Sequence, residues 1–183
     1  MSTIIAWIGS ADTGHLRLLD QTKLPLEETY LDCKTIQEVW QAIKQLSVRG
    51  APMIGVSAAY AAILTVQGIG DETARITALQ QGCDYLATSR PTAVNLFWAL
   101  NHMKQIRPAT PAKLLDEAQR IERDNTRMNQ RIGEHALNWL RQNGAVKSNS
   151  LALLTHCNAG SLACGGIGTA TAPMYLAHEQ GLS

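Results

Sequence analysis

SLALLTHCNAGSLACGGIG, residues 150–168, decides the fold class. Ser150 to Thr155 is a short, continuously apolar run, and such a run without alternation is the pattern of a strand covered on both faces. It leads into a glycine-rich segment, Gly160 to Gly168, after which a helix is expected from about Thr169 to Gln180. Strand, glycine-rich turn and helix make one β-α step of a doubly wound sheet. One step cannot make a sheet, because a lone strand of this kind has two unpaired edges and two uncovered faces. The expectation is a chain that stops just after a second domain begins, its other strands lying beyond Ser183 or coming from another chain.

Upstream of that step the pattern is helical. Thr110-Pro111 is a cap followed by a first-turn proline, and opens an amphipathic stretch reaching Gln142, with Leu114, Ala118, Ile121, Met128, Ile132, Ala136 and Trp139 on the expected seam. Asn143-Gly144 ends it. Before it, Thr35-Ile36-Gln37-Glu38 matches a capping box, with Ile36, Val39, Trp40, Ile43 and Leu46 giving one apolar stripe. A nearly wholly apolar helix is expected from about Pro52, a third from about Asp71, and a fourth from about Thr92 to Ile106 with Thr92 free to cap. The first 35 residues read as short strands, Thr3 to Ile8, His15 to Leu19 and Glu28 to Leu31.

The bulk composition narrows the classes. Hydrophobic residues make up 45% and charged residues 17% of the 183, too apolar for disorder. The formal net charge of +1 and the lack of a basic stripe argue against nucleic acid as partner. No stretch approaches the roughly 20 apolar residues needed to span a bilayer, so no membrane association is expected. Residues 1–10 lack the charged start of a signal peptide and read as a strand. Cys33, Cys83, Cys157 and Cys164 show no paired spacing, which weighs against zinc and against a disulfide framework. A reduced, cytoplasmic setting follows as the expectation.

Three segments carry chemistry. Val48-Arg49-Gly50-Ala51-Pro52 sets an arginine and a permissive glycine at a helix start, where backbone N–H groups favour anions. Arg90-Pro91-Thr92 repeats the design at another helix start. Either arginine read alone is as well a surface residue; two such junctions make a phosphate pocket reasonable. The third segment is Leu154-Thr155-His156-Cys157-Asn158-Ala159-Gly160, at the carboxyl end of the expected strand, where open sheets gather ligands. Cys157 there is either a small buried hydrophobe or a thiolate and proton carrier. Its neighbour His156 points to the opposite face of an extended segment, so it is expected to be a hydrogen-bonded structural residue and not a catalytic partner. Gly160, Gly165, Gly166 and Gly168 do not form the GxGxxG fingerprint, so no dinucleotide is expected.

VRGAPMIG at 48–55, RPTAVNLFWAL at 90–100 and LLTHCNAGSLACGGIGTATA at 153–172 together resemble the methylthioribose-1-phosphate isomerase family. HLRLLDQTKLP at 15–25 and MNQRIGEH at 128–135 extend the resemblance over nearly the whole chain. It implies a homodimer that converts 5-methylthioribose 1-phosphate into 5-methylthioribulose 1-phosphate in methionine salvage; from the residue spacing no metal, and no cofactor, is expected. It implies that Arg49, Gly50, Ala51 and Arg90 bind the sugar phosphate and that Cys157 is catalytic. By the same resemblance, a proton-donating aspartate and an Asn-Lys pair belong to segments that are not in this sequence, and the 183-residue chain is expected to be inactive alone. Related substrates (ribose 1,5-bisphosphate or 5-deoxyribose 1-phosphate) are alternatives. So is a non-catalytic scaffold like the regulatory subunits of the translation-initiation exchange factor. Cys164 and Pro173 depart from the family's pattern.

The expected fold is α/β overall. A mainly helical N-terminal domain with a few short strands covers 1–145, and the resemblance makes 146–183 the start of an incomplete Rossmann-like domain.

Overall fold

The computed structural model describes residues 3–147 and 149–182. Three short strands, β1 (Ile5–Ile8), β2 (His15–Leu19) and β3 (Tyr30–Cys33), are followed by α1 (Ile36–Lys44), α2 (Ala51–Leu64), α3 (Glu72–Ala87), α4 (Val94–Met103), α5 (Pro111–Gln142), α6 (Ser161–Cys164) and α7 (Ala172–Glu179). The chain divides into two compact units, Met1–Glu122 and Arg123–Ser183, and α5 runs through both.

In the first unit the strands form an antiparallel meander in the order β1-β2-β3. Its register pairs Ile5 with Leu18 and Leu16 with Cys33, and all four side chains are buried on one face. The alternate face pairs Arg17 with Asp32, whose guanidinium and carboxylate meet in two hydrogen bonds of 2.6 and 2.9 Å. This period-two division is what one buried and one wet face demand. The third strand begins two residues later than the apolar pattern suggests, at Tyr30, because the register to β2 runs through Cys33.

Helix α2 is buried from Met53 to Ile63 and forms the middle of the core, in agreement with its unbroken apolar sequence. The Leu, Ile, Val and Ala side chains of α1, α3, α4 and the first part of α5 close around it. Helix α1 begins with the expected capping box: Thr35 accepts from the Glu38 N–H, while Glu38 accepts from the N–H of Thr35 at 2.9 Å. Helix α3 is capped by Asp71, which accepts from the Ala74 N–H at 2.7 Å. Helices α2 and α4 pack closely because residue 55 is glycine: a Cβ there would stand 2.9 Å from the Asn95 carbonyl oxygen.

In the second unit two expectations fail. Residues 151–156 form no strand, Lys147 and Ser150 make only an isolated bridge, and Leu154 is 99% exposed. Among the described residues no strand pairs with this run. The seam of α5 also shifts. Met128 and Trp139 are 57% and 61% exposed and Ile132 is exposed as well, while Asn129, Gly133 and Leu137 are the buried positions. Gly133 is there because α7 passes over it, with Ala172 and Leu176 where a Cβ would lie. The last helix is shorter than expected and is preceded by the single turn α6.

Candidate functional site

Four of the residues singled out from sequence line one cavity of about 460 Å³ in the first unit. Arg49, Gly50 and Ala51 come from the entrance to α2, and Arg90 from the turn before α4; Thr92 completes the polar end. Leu46, Ile54, Ala93 and Val94 give the same cavity an apolar wall. The volume lies in the range of small-molecule sites.

The arrangement follows from local backbone chemistry. Gly50 caps α2 at φ 83°, a conformation that suits glycine, and brings the chain round from Arg49 into the helix. Neither α2 nor α4 has a side chain hydrogen-bonded at its N-cap, whereas α1 and α3 do. Thr92 is not the cap of α4; the cap is Ala93, and the Arg90 carbonyl accepts from the Ala93 N–H at 3.0 Å. Two helix N-termini without side-chain caps and two arginines therefore meet at one cavity. Each terminus carries partial positive charge on its unbonded N–H groups, and helix termini of that kind favour anions.

Cys157 lies in the second unit, exposed, with φ 85°. A non-glycine residue in that region is strained, and the Ala159 N–H to Cys157 carbonyl bond of 3.1 Å closes the tight turn that holds it. His156 is exposed, contrary to the structural role expected of it, because the extended run before it packs against no partner strand. Cys164 is buried, its Sγ 3.6 Å from the Thr169 hydroxyl.

Two residues missed by the sequence reading hold the glycine-rich loop. Asn125 and Asn129 of α5 donate to the Cys164 carbonyl at 2.7 and 2.8 Å, and Asn129 also reaches the Gly165 carbonyl at 3.1 Å. Asparagines four apart on one helix face were the available signal; an amide on a buried face needs carbonyls to serve. At the loop's end, the Thr169 N–H and the Thr171 hydroxyl both donate to the Ala159 carbonyl, at 2.9 and 3.2 Å. Gly168, at φ 78°, passes so close that a Cβ would stand 2.2 Å from the Thr171 hydroxyl oxygen.

The sequence model of the initiation factor 2 subunit family matches residues 47–182, which include both arginine junctions and the Cys157 loop. The chain belongs to that family. It is 47% identical over 176 residues to a 5-deoxyribose 1-phosphate isomerase of Bacillus thuringiensis, an alignment covering 91% of this chain and 49% of that protein. The crystal structure of 5-methylthioribose 1-phosphate isomerase from Pyrococcus horikoshii matches all of this chain and 51% of its own, with a TM-score of 0.81 and 27% identity. The crystal structure of translation initiation factor eIF-2B, subunit delta, from A. fulgidus matches the whole chain and 52% of its own at a TM-score of 0.80 and 33% identity. The chain thus spans about half the length of the relatives it matches. The family resemblance read from the motifs is correct.

Proposed function

We propose that this chain is the phosphate-binding portion of an aldose–ketose isomerase acting on 5-methylthioribose 1-phosphate in methionine salvage. The observation that carries the reading is the cavity where Arg49, Arg90 and two helix N-termini without side-chain caps converge. In this reading Arg49, Gly50, Ala51 and Arg90 bind the phosphate at the anomeric oxygen. A proton donor assists the ring oxygen as the ring opens, and Cys157 stabilises the centre where hydrogen passes from C2 to C1. Positioned proton transfer of this kind contributes about 10²–10⁴-fold. The apolar wall of Leu46, Ile54, Ala93 and Val94 suits a substrate that is not charged at both ends.

The whole protein is proposed to act as a cytoplasmic homodimer without cofactor or metal, with domains at 1–145 and from 146 onward, the second Rossmann-like. Residues 150–155 are read as a strand that forms only when its neighbours are present.

Two other readings each have an observation in their favour. The Bacillus thuringiensis relative is named for 5-deoxyribose 1-phosphate, and the eIF-2B delta match is as close in fold as the isomerase match. Ribose 1,5-bisphosphate is the least favoured of the substrates because of the apolar wall. Side-by-side kcat/KM values on the three sugar phosphates, measured on the complete protein, separate the enzymes. Absence of sugar-phosphate binding in calorimetry would favour the scaffold. On the leading reading the ketose product forms, Arg49→Ala and Arg90→Ala each lower kcat/KM by roughly 10²-fold or more, and Cys157→Ala is severely impaired. A fully active Cys157→Ala protein would remove Cys157 from the mechanism.

A further inference from the structure

The turn that carries Arg49 from α1 into α2 is held by buried polar groups that phosphate binding itself does not use. Asp20 follows β2 directly and is only 6% exposed. One of its carboxylate oxygens accepts from the Thr22 N–H at 3.1 Å and the Thr22 hydroxyl at 2.7 Å, which fixes the turn that presents the Gln21 N–H. Ser47 is fully buried within the α1–α2 turn. Its carbonyl accepts from the Gln21 N–H at 3.0 Å, and its hydroxyl oxygen accepts from the Gln45 side-chain amide at 3.2 Å. Its own N–H donates to the Ala42 carbonyl at 2.9 Å.

This network surrounds a strained point. Leu46, immediately before Ser47, has φ 68°, which a leucine adopts only when its surroundings dictate it. Leu46 also lines the anion cavity, and Arg49 stands two residues past Ser47. The exit of β2 is thus tied, through the Gln21 N–H and the Ser47 carbonyl, to the turn that delivers the first arginine. Burial by itself raises the Asp20 pKa, but hydrogen bonding, from Thr22 foremost, more than offsets it, so the carboxylate stays charged at neutral pH.

We propose that Asp20 and Ser47 are positioning residues for the phosphate cavity, holding the 46–48 turn so that Arg49 and the start of α2 face the same anion as Arg90. The inference rests on the anion-binding reading of that cavity. Without the Asp20–Thr22 turn that aims the Gln21 N–H at the Ser47 carbonyl, the Leu46 backbone relaxes toward an ordinary conformation and carries the Arg49 backbone with it. Two cations that must meet one phosphate lose affinity when one of them moves by even an ångström.

The test is a titration of the 15N-labelled chain with inorganic phosphate, following the Nε–H resonances of Arg49 and Arg90. In the unaltered chain both respond. Asp20→Ala and Ser47→Ala are expected to weaken phosphate binding about tenfold, with the Arg49 response reduced more than that of Arg90. Asp20→Asn keeps an acceptor oxygen for the Thr22 N–H and hydroxyl and is expected to bind within about threefold of the unaltered chain. Slow amide exchange along Val56–Ile63 reports that the core is intact in each variant, and Ser47→Ala serves if Asp20→Ala does not fold. A residue that only stabilises the fold would lower the melting temperature and leave phosphate affinity alone. Unchanged affinity in Asp20→Ala and Ser47→Ala therefore overturns the positioning role. Failure of Arg49 and Arg90 to respond in the unaltered chain overturns the anion-binding reading, and this inference with it.

Discussion

Cys157 sits where the chain turns sharply, at φ 85°, and the strain there is a local cost of about 1–3 kcal/mol that some other requirement must justify. Cys157→Gly is expected to raise the stability of the chain by about 0.5–1 kcal/mol, since glycine adopts this conformation freely. On the proposed function the same substitution removes the reacting thiol from the complete protein. Chemical denaturation of the chain and turnover of the complete protein would then move in opposite directions; a loss of stability in Cys157→Gly would contradict the strain argument. Gly168 behaves in the reverse sense. A methyl there would meet the Thr171 hydroxyl at 2.2 Å and the Ala159 carbonyl at 2.4 Å, so Gly168→Ala should destabilise the second unit by more than about 2 kcal/mol in denaturant melts. The candidate residues themselves were legible, because arginine and glycine beside a helix-opening proline is a local pattern. The strain at Cys157 was not, since φ depends on where the chain goes next.

At the scale of elements, α5 shows how far periodicity reaches. Its span from Pro111 to Gln142 was legible from the cap, the repeat and the terminal Asn143-Gly144, but its buried face beyond Ile121 was not. There the helix buries Asn129 and Gly133 and leaves Met128 and Trp139 exposed, because the neighbouring loop offers carbonyls and α7 needs a close approach. Asn129→Leu should cost about 1–3 kcal/mol, as two loop carbonyls lose their shared donor. Amide exchange should quicken across the loop from Gly160 to Gly168; protection equal to that of the unaltered chain would contradict this. The β2–β3 pair makes a prediction about acid. The Arg17 guanidinium holds the Asp32 carboxyl at about 2, below its ordinary 3.8, with His15 helping. A carboxyl depressed on folding contributes stability above its unfolded value, and that contribution fades as pH falls from about 4 through about 2. Both partners are largely exposed, so the effect is modest and weakens with salt. Arg17→Met should flatten that part of the pH–stability curve, measured as melting temperature between pH 5 and 2.

For the whole molecule the decisive segment is again residues 150–155. In the chain described here Leu154 is almost wholly exposed, so Leu154→Glu should leave its melting temperature within about a degree and improve its solubility. In the complete protein, where the run is proposed to be an interior strand, the same change should cost several kcal/mol through a buried charge. Equal tolerance in both would argue against the strand. What the sequence determined by itself was local: the capping box of α1, the existence of three short strands and of the main helices, the two arginine junctions and the family. Each follows from neighbours within a turn or two of the chain. Only the tertiary structure decided that the two junctions line one cavity, because that depends on Gly55 letting α2 and α4 approach across forty residues of sequence. It alone decided the fate of the apolar run as well. An apolar sequence can favour a strand, but strand hydrogen bonds need a partner, and among the described residues none is in place to supply it.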